Sequence, residues 1–468
     1  MKDSTQRSAD KAVDSIQQCL VSYASDLSFD ALPSVTVHAA KVRIIDTLGA
    51  LIGGYFGVPC RIARNLAVHM PNPTGATIIG TRWKTSPDMA AFANATTARY
   101  VEANDVYHWP GSTTGHPSDV MMPVLAAGEQ VHASGRDFIT GVVLAYEVCV
   151  RLSDVIRPSG FDASNFCCVG NAVAAGKLFG LTPEQLAHGI AMAVVPNNIL
   201  RQVRTGHLSV WKAVAAGQAG RAGVFAAMLA RAGMEGPHLP FEGKAGWCDH
   251  VAGRRFTLAA MGGNATPFKI QDTLIKQRSS CATTISSILA AEKIGALKNP
   301  GAVSKVSVEV SQQAKDGKAT GEHHWNPDSK ETADHSIPYV TAATLMDGTV
   351  TPHSFSDARL WNLDLRALLQ KVEVVANDEF TRDYKKTPVI HRARITVVSR
   401  NGERLVGESG GDHGDLSDVK SDAQIEQKFR SLTEDTLGAQ RVNSILARLW
   451  DLETVTDIAE IPPAFVVA

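Results

Sequence analysis

The residues best suited to chemistry sit in polar strings that interrupt apolar, helix-like stretches. The first runs Glu102-Ala-Asn104-Asp105-Val-Tyr-His108-Trp and continues at Gly115-His116-Pro117-Ser118-Asp119. Carboxylates and imidazoles this close together, with Gly and Pro breaking the helix, are the raw material of proton transfer. His116 precedes a Pro-Ser-Asp start and a predicted helix over Val120–Glu129. The positive end of that helix would attract an anion and lower the imidazole pKa toward that of a neutral base. Asp105 and Ser118 could equally serve as helix caps. Imidazoles and carboxylates also bind metals, but the spacing fits no metal motif, so no metal is expected.

The second string is Asn197-Asn198-Ile-Leu-Arg201-Gln-Val-Arg204-Thr-Gly-His207-Leu-Ser-Val-Trp211-Lys212. Arg201 and Arg204, three apart, share a face if helical and could grip carboxylates bidentately. Lys212 opens an Ala-rich helix, where an ammonium is costly unless it is partnered or reaches solvent. The third string, Glu331-Thr-Ala-Asp334-His335-Ser336-Ile-Pro-Tyr339, places an acid beside a histidine ahead of an apolar helix. That arrangement could orient a base or simply cap the helix.

The elements that must position these strings change character along the chain. From about residue 11 to 268 the spacing is helical, as in Val42, Ile45, Leu48 and Ile52. Ser86-Pro87-Asp88 and Thr182-Pro183-Glu184-Gln185 read as helix starts. Gly170–Leu178 and Ala213–Ala232 are rich in Ala and Gly, which suits closely packed central helices. After Pro267, Val303–Val310 alternates with period two, and Lys371–Val375 is also β-like. Asn401-Gly402 between Arg394–Val398 and Arg404–Val406 predicts a hairpin with a type I′ turn. The last fifty or so residues return to helical spacing. The expected architecture is mainly α: a helical domain over 1–268, an α+β lid over 269–408, and C-terminal helices over 409–468 that rejoin the first domain.

Composition removes several function classes. The 468 residues carry 46 Lys+Arg against 47 Asp+Glu, a formal net charge of −1, so the basic footprint of nucleic-acid binding is missing. The seven cysteines form no C-x-x-C pair, which predicts free thiols rather than a zinc ribbon or a disulfide framework. The first fourteen residues lack the apolar core of a signal peptide, and the most apolar stretches are too short for a bilayer span. A cytoplasmic location with no membrane partner is therefore expected. Nucleotide-binding, serine-hydrolase and zinc-protease signatures are absent.

Taken together, the strings resemble the MmgE/PrpD family, with its 2-methylcitrate dehydratases and cis-aconitate decarboxylases. Arg43-Ile-Ile-Asp46-Thr-Leu-Gly49 resembles its early helix, and Asn104-Asp105 with Gly115–Asp119 its N-D…G-H-P-S-D loop. Trp211-Lys212 resembles its W-K helix start, and Phe241-Glu242-Gly243-Lys244-Ala-Gly-Trp247 its F-E-G segment. The closest match runs from Trp325-Asn326-Pro327 to Tyr339.

The resemblance implies a discontinuous helical domain with a smaller lid, a homodimer, no cofactor, and a cleft that binds a small polycarboxylate. By the same match, His116 serves proton transfer and Lys212 charge stabilisation or proton donation, with Glu102 and Asp105 as the other catalytic residues. Arg201 and Arg204 would hold substrate carboxylates, with His108, His207, Lys276, Asp334 and His335 completing the pocket. Three departures stand out: Glu102 replaces an Asp, and imidazoles expected near Ala163 and Thr283 are missing. The implied reaction is dehydration of 2-methylcitrate or a longer 2-alkylcitrate. The alternatives are decarboxylation or epimerisation of a related acid, or a non-catalytic protein that binds an anion or a protein partner.

Overall fold

Close helix packing follows directly from the Ala- and Gly-rich stretches. The computed structural model describes residues 13–157 and 160–467. The first stretch, residues 1–12, which bears on the expectation of no targeting segment, lies outside the described residues. In the helical part, helix Trp211–Arg231 lies between helices Pro87–Tyr100 and Ser164–Leu178. A Cβ added at Gly217 would lie 2.6 Å from the Phe92 carbonyl oxygen, and one at Gly223 would lie 2.5 Å from that of Cys168. Only glycine allows these backbones to approach so closely. Helix Trp211–Arg231 is long and apolar enough to cross a membrane by composition, yet 72% of its most apolar window is buried within the protein.

The helical part also holds a two-stranded antiparallel ladder that the periodicity missed, β1 (Pro71–Thr77) with β2 (Lys84–Thr85). Its sequence, Pro-Asn-Pro-Thr-Gly-Ala-Thr, carries no strand pattern because side chains from elsewhere hold it. The Glu129 carboxylate accepts from both the backbone N–H and the hydroxyl of Thr77, at 2.7 and 2.5 Å. The Asn94 amide donates to the Thr77 carbonyl and accepts from the Ile79 N–H.

The smaller part is built on a mixed four-stranded sheet of order β4-β3-β5-β6. Its strands are β3 (Val303–Val310), β4 (Val372–Ala376), β5 (Ala393–Ser399) and β6 (Arg404–Ser409). β3 pairs parallel with β4 and antiparallel with β5. Val306, Val308 and Val310 face a core shared with helices Ala282–Ile294 and Ile337–Asp347, as the period-two pattern requires. The β5–β6 hairpin is present, but its turn is not type I′. Gly402 has φ 87°, whereas Asn401 is not in the left-handed region, and the Gly402 N–H donates to the Ser399 carbonyl. The result is a type I turn closed by a left-handed glycine, the usual geometry of a three-residue hairpin loop.

The C-terminal helices Asp422–Leu437 and Ala439–Trp450 pack back on helix Ser34–Gly54. Phe429 and Leu432 sit where side chains at Gly49 and Gly53 would project. Lys428 reaches in to donate to the Asp46 carboxylate at 2.5 Å and to the Ala103 carbonyl at 2.7 Å. The chain is thus mainly helical, with a small sheet-bearing part inserted between segments of the helical one.

Candidate active site

Arg99 ends the last turn of helix Pro87–Tyr100, and the chain reverses at Glu102, which adopts φ 55°. A left-handed conformation costs a non-glycine residue on the order of 1 kcal/mol and persists only where its surroundings compel it. Here three cations do so. Arg99 donates to the Glu102 carboxylate through both terminal nitrogens, at 2.7 and 3.2 Å. Lys276 Nζ lies 3.0 Å from Glu102 Oε1, and Lys212 Nζ lies 3.3 Å from Oε2. Glu102 is fully buried; burial alone would raise its pKa, but Arg99, Lys276 and Lys212 hold it well below the usual carboxylate range.

Lys212, the second residue of its helix, bridges to the sheet-bearing part. Its ammonium donates to Asp334 Oδ1 at 2.9 Å and lies 3.2 Å from His335 Nδ1. Asp334 and His335 occupy the short junction between helix Lys330–Ala333 and the helix that Ser336 caps. Lys330, four residues before Asp334 and on the same face, donates to its other oxygen at 2.8 Å. Burial disfavours the Asp334 carboxylate, yet Lys212, Lys330 and His335 together keep it ionised. Glu102, Asp334 and His335 bring their donor atoms within 4.8 Å of one another, as metal ligands would. Lys212 Nζ, in contact with all three, occupies the position a cation would take.

His116 completes the group. Its Nδ1 donates to the Asp105 carbonyl oxygen at 2.7 Å, and its Nε2 lies 3.7 Å from Glu102 Oε1. Burial, then Arg99, push its pKa well below the ordinary value, with Glu102 opposing. The effect expected of a helix N-terminus thus has a different main cause. Asp105 acts as a local cap, since its carboxylate accepts from the Ser118 N–H at 3.1 Å. Most of the cluster is sealed, and the His116 and His335 side chains each retain 15% exposure, so the two imidazoles mark the edge open to a ligand.

Other predicted residues lie elsewhere. Arg201 is exposed on a 3-10 turn and makes no hydrogen bond or ion pair with the cluster among the described residues. The expected arginine pair is broken because Arg204 turns inward, donating to Asp162 at 2.7 Å. Arg204 still contributes positive charge that His116 and Asp119 feel. His207 is exposed and pairs with Asp328 at 2.7 Å. His108 belongs to a separate trio, 3.2 Å from the Tyr384 hydroxyl and 3.1 Å from His391, where burial and His391 lower its pKa to about 3.

Sequence reasoning gave no role to Arg99, Lys330 or Asp119. Arg99 and Lys330 could have been found by counting three and four residues along a helix to a carboxylate. Asp119 is a buried acid whose pKa burial lifts to about 7 against the pull of Arg99 and Arg204. Ala163 packs where a Cβ on Gly115 would fall, beside His116, and Thr283 adjoins Tyr384. Of the two positions lacking an imidazole, Ala163 therefore lies beside the cluster and Thr283 beside the separate His108–Tyr384–His391 trio.

The MmgE/PrpD N-terminal domain model matches residues 18–258, and the MmgE/PrpD C-terminal domain model matches residues 279–452. The chain belongs to the MmgE/PrpD family. Its relatives include a cis-aconitate decarboxylase from Homo sapiens, 24% identical over 95% of this chain and 93% of that protein. A 2-methylcitrate dehydratase from Salmonella typhi is also 24% identical, over 81% of this chain and 82% of its own length. A cis-aconitate decarboxylase from Aspergillus terreus, again at 24%, is covered over 97% of both chains. The junction between the two MmgE/PrpD matches contains Lys276, which donates to Glu102 of the first domain and to the Ser280 carbonyl of the second.

Proposed function

We propose that this protein is a lyase acting on a small polycarboxylate, and that it dehydrates 2-methylcitrate or a longer 2-alkylcitrate. The observation that carries this reading is the convergence of a neutral imidazole, His116, and an ammonium, Lys212, on the same carboxylate at the edge of the cluster that retains exposure. With the Nδ1 proton given to the Asp105 carbonyl, the Nε2 lone pair is the basic site.

In the proposed step, Nε2 takes a proton from the carbon next to a substrate carboxylate. The electron pair moves toward that carboxylate, and Lys212 stabilises the charge that develops. The hydroxyl on the neighbouring carbon departs as water once it receives a proton. Glu102 then faces an imidazolium and offsets its charge. Arg204 supplies cationic field toward the substrate's remaining carboxylates.

The test is to incubate the purified protein with 2-methylcitrate, a longer 2-alkylcitrate and cis-aconitate, following conjugated-alkene absorbance and carbon dioxide release. Alkene formation from an alkylcitrate without carbon dioxide supports the reading. The fuller coverage by cis-aconitate decarboxylases favours a second reading, and carbon dioxide from cis-aconitate would select it. Tight binding without turnover across the panel would overturn both.

A further inference from the structure

Helices Gly135–Val155 and Ser164–Leu178 run antiparallel and approach closely at Gly170, where an added Cβ would lie 2.7 Å from the Ala145 carbonyl oxygen. One turn away along each helix, Cys149 and Cys167 meet with their sulfurs 3.3 Å apart. Among the described residues no other two cysteine sulfurs are in contact, and all seven cysteines are free thiols. Cys167 also underlies the candidate site. Its Sγ lies 3.7 Å from the His116 carbonyl oxygen, to which the S–H donates. The same helix starts beside Ala163, the residue that packs against Gly115. We propose that Cys149 and Cys167 form a reversible redox-modification site, which a small hydroperoxide closes to a disulfide and whose closure displaces the turn carrying His116.

Two helices this close bring the cysteines within reach of a bridge, and their sulfurs need only close from 3.3 Å to about 2.05 Å. Both thiols are buried, so bulky oxidants are kept out. A small uncharged hydroperoxide enters by the edge that retains exposure at His116. The contact with Cys149, then burial, raise the Cys167 pKa and keep its proton in place, which leaves Cys149 as the sulfur that meets the oxidant. That sulfur attacks the O–O bond. An S–O bond forms, the O–O bond breaks, and the departing oxygen takes the thiol proton to leave as water or an alcohol. The Cys167 sulfur then attacks the sulfenic acid: the S–S bond forms, the S–O bond breaks, and hydroxide leaves with the Cys167 proton as water. The two thiols together give up two electrons, and the hydroperoxide accepts them. Without its S–H, Cys167 no longer donates to the His116 carbonyl, and its sulfur is drawn toward the neighbouring helix.

The experiment treats the full chain with hydrogen peroxide, digests it without reduction, and reads the Cys149 and Cys167 peptides by mass spectrometry. A cross-link between the two that dithiothreitol reverses is expected. Separate oxidation of the two thiols to sulfinic acids, or two unmodified thiols after Cys281 has been oxidised, overturns the site. Oxidised protein should lose kcat by about tenfold or more, as a displacement on the order of 1 Å near a reacting group costs, and dithiothreitol should restore it. Cys149→Ser should keep its kcat through the same treatment. An equal loss in that variant, or an unchanged kcat in cross-linked parent, overturns the link to His116. The kcat arm rests on the lyase reading, whereas the cross-link needs no turnover. Should no polycarboxylate be turned over, the rate at which diethyl pyrocarbonate modifies His116 replaces kcat, and an unchanged rate in cross-linked protein overturns the link.

Discussion

His116 Nδ1 and the Asp105 carbonyl oxygen lie 2.7 Å apart, and that one contact fixes which ring nitrogen can act as a base. The carbonyl can only accept, so Nδ1 carries the proton and Nε2 faces Glu102 with its lone pair free. His116→Gln should therefore reduce kcat by about a hundredfold or more. A rate within threefold of the parent would refute the assignment.

The same imidazole sets a pH dependence. Its pKa lies well below the ordinary value through burial and Arg99, so it stays neutral and basic further into acid than a free histidine. The acid limb of kcat/KM should accordingly lie below the ordinary histidine range of about 6.5. A limb centred between pH 6.5 and 7 would show that another group is the base.

Lys212 is held by Glu102, Asp334 and His335 at once, so its removal has two costs. Lys212→Met leaves both carboxylates short of a partner, and breaking a buried pair costs about 3–5 kcal/mol. Both activity and melting temperature should drop. The stabilisation by Glu102 and Asp334, whose pKa values are depressed, is present above the unfolded carboxylate range and lost as pH falls through the folded values. The stability gap between Lys212→Met and the parent should therefore narrow on acidification in a thermal-melt series.

Asp119 has the opposite sign. Its folded pKa of about 7 exceeds the unfolded value, so its contribution is full below about pH 4 and is lost as pH rises through 7. Asp119→Asn keeps the neutral shape without the charge. The melting temperature should gain more at pH 8 than at pH 5, and an equal or smaller gain at pH 8 would contradict the raised pKa.

Arg201 and Arg204 should separate in mutagenesis. Arg201→Ala removes an exposed side chain and should leave kcat/KM within about twofold, as surface changes usually do. Arg204→Ala leaves Asp162 buried without its partner and removes positive charge near His116, so KM should rise tenfold or more. Steady-state kinetics on both variants checks this, and equal effects would refute the distinction.

What the sequence revealed depended on whether the signal was local. The Ala- and Gly-rich helices, the Thr182 capping box and the alternation of β3 are properties of neighbouring residues, and they stand as read. The β1–β2 ladder was hidden because Glu129 and Asn94, distant in sequence, hold it together. Lys212 stood out as an ammonium opening an Ala-rich helix and Asp334 as an acid beside a histidine, but only folding shows that they bond to each other. The arginine pair misled because spacing cannot show that Asp162 captures one member. Cys149 and Cys167 passed unnoticed as a pair because they meet only when their helices pack.

The return of the C-terminal helices to the first part has a bearing on biosynthesis. Asp46 is buried early in the sequence, and its counter-ion, Lys428, leaves the ribosome 382 residues after it. Until that lysine arrives, the early helices must wait with an uncompensated acid. A nascent chain halted before it would therefore be unable to finish its interior and would be exposed to proteolysis.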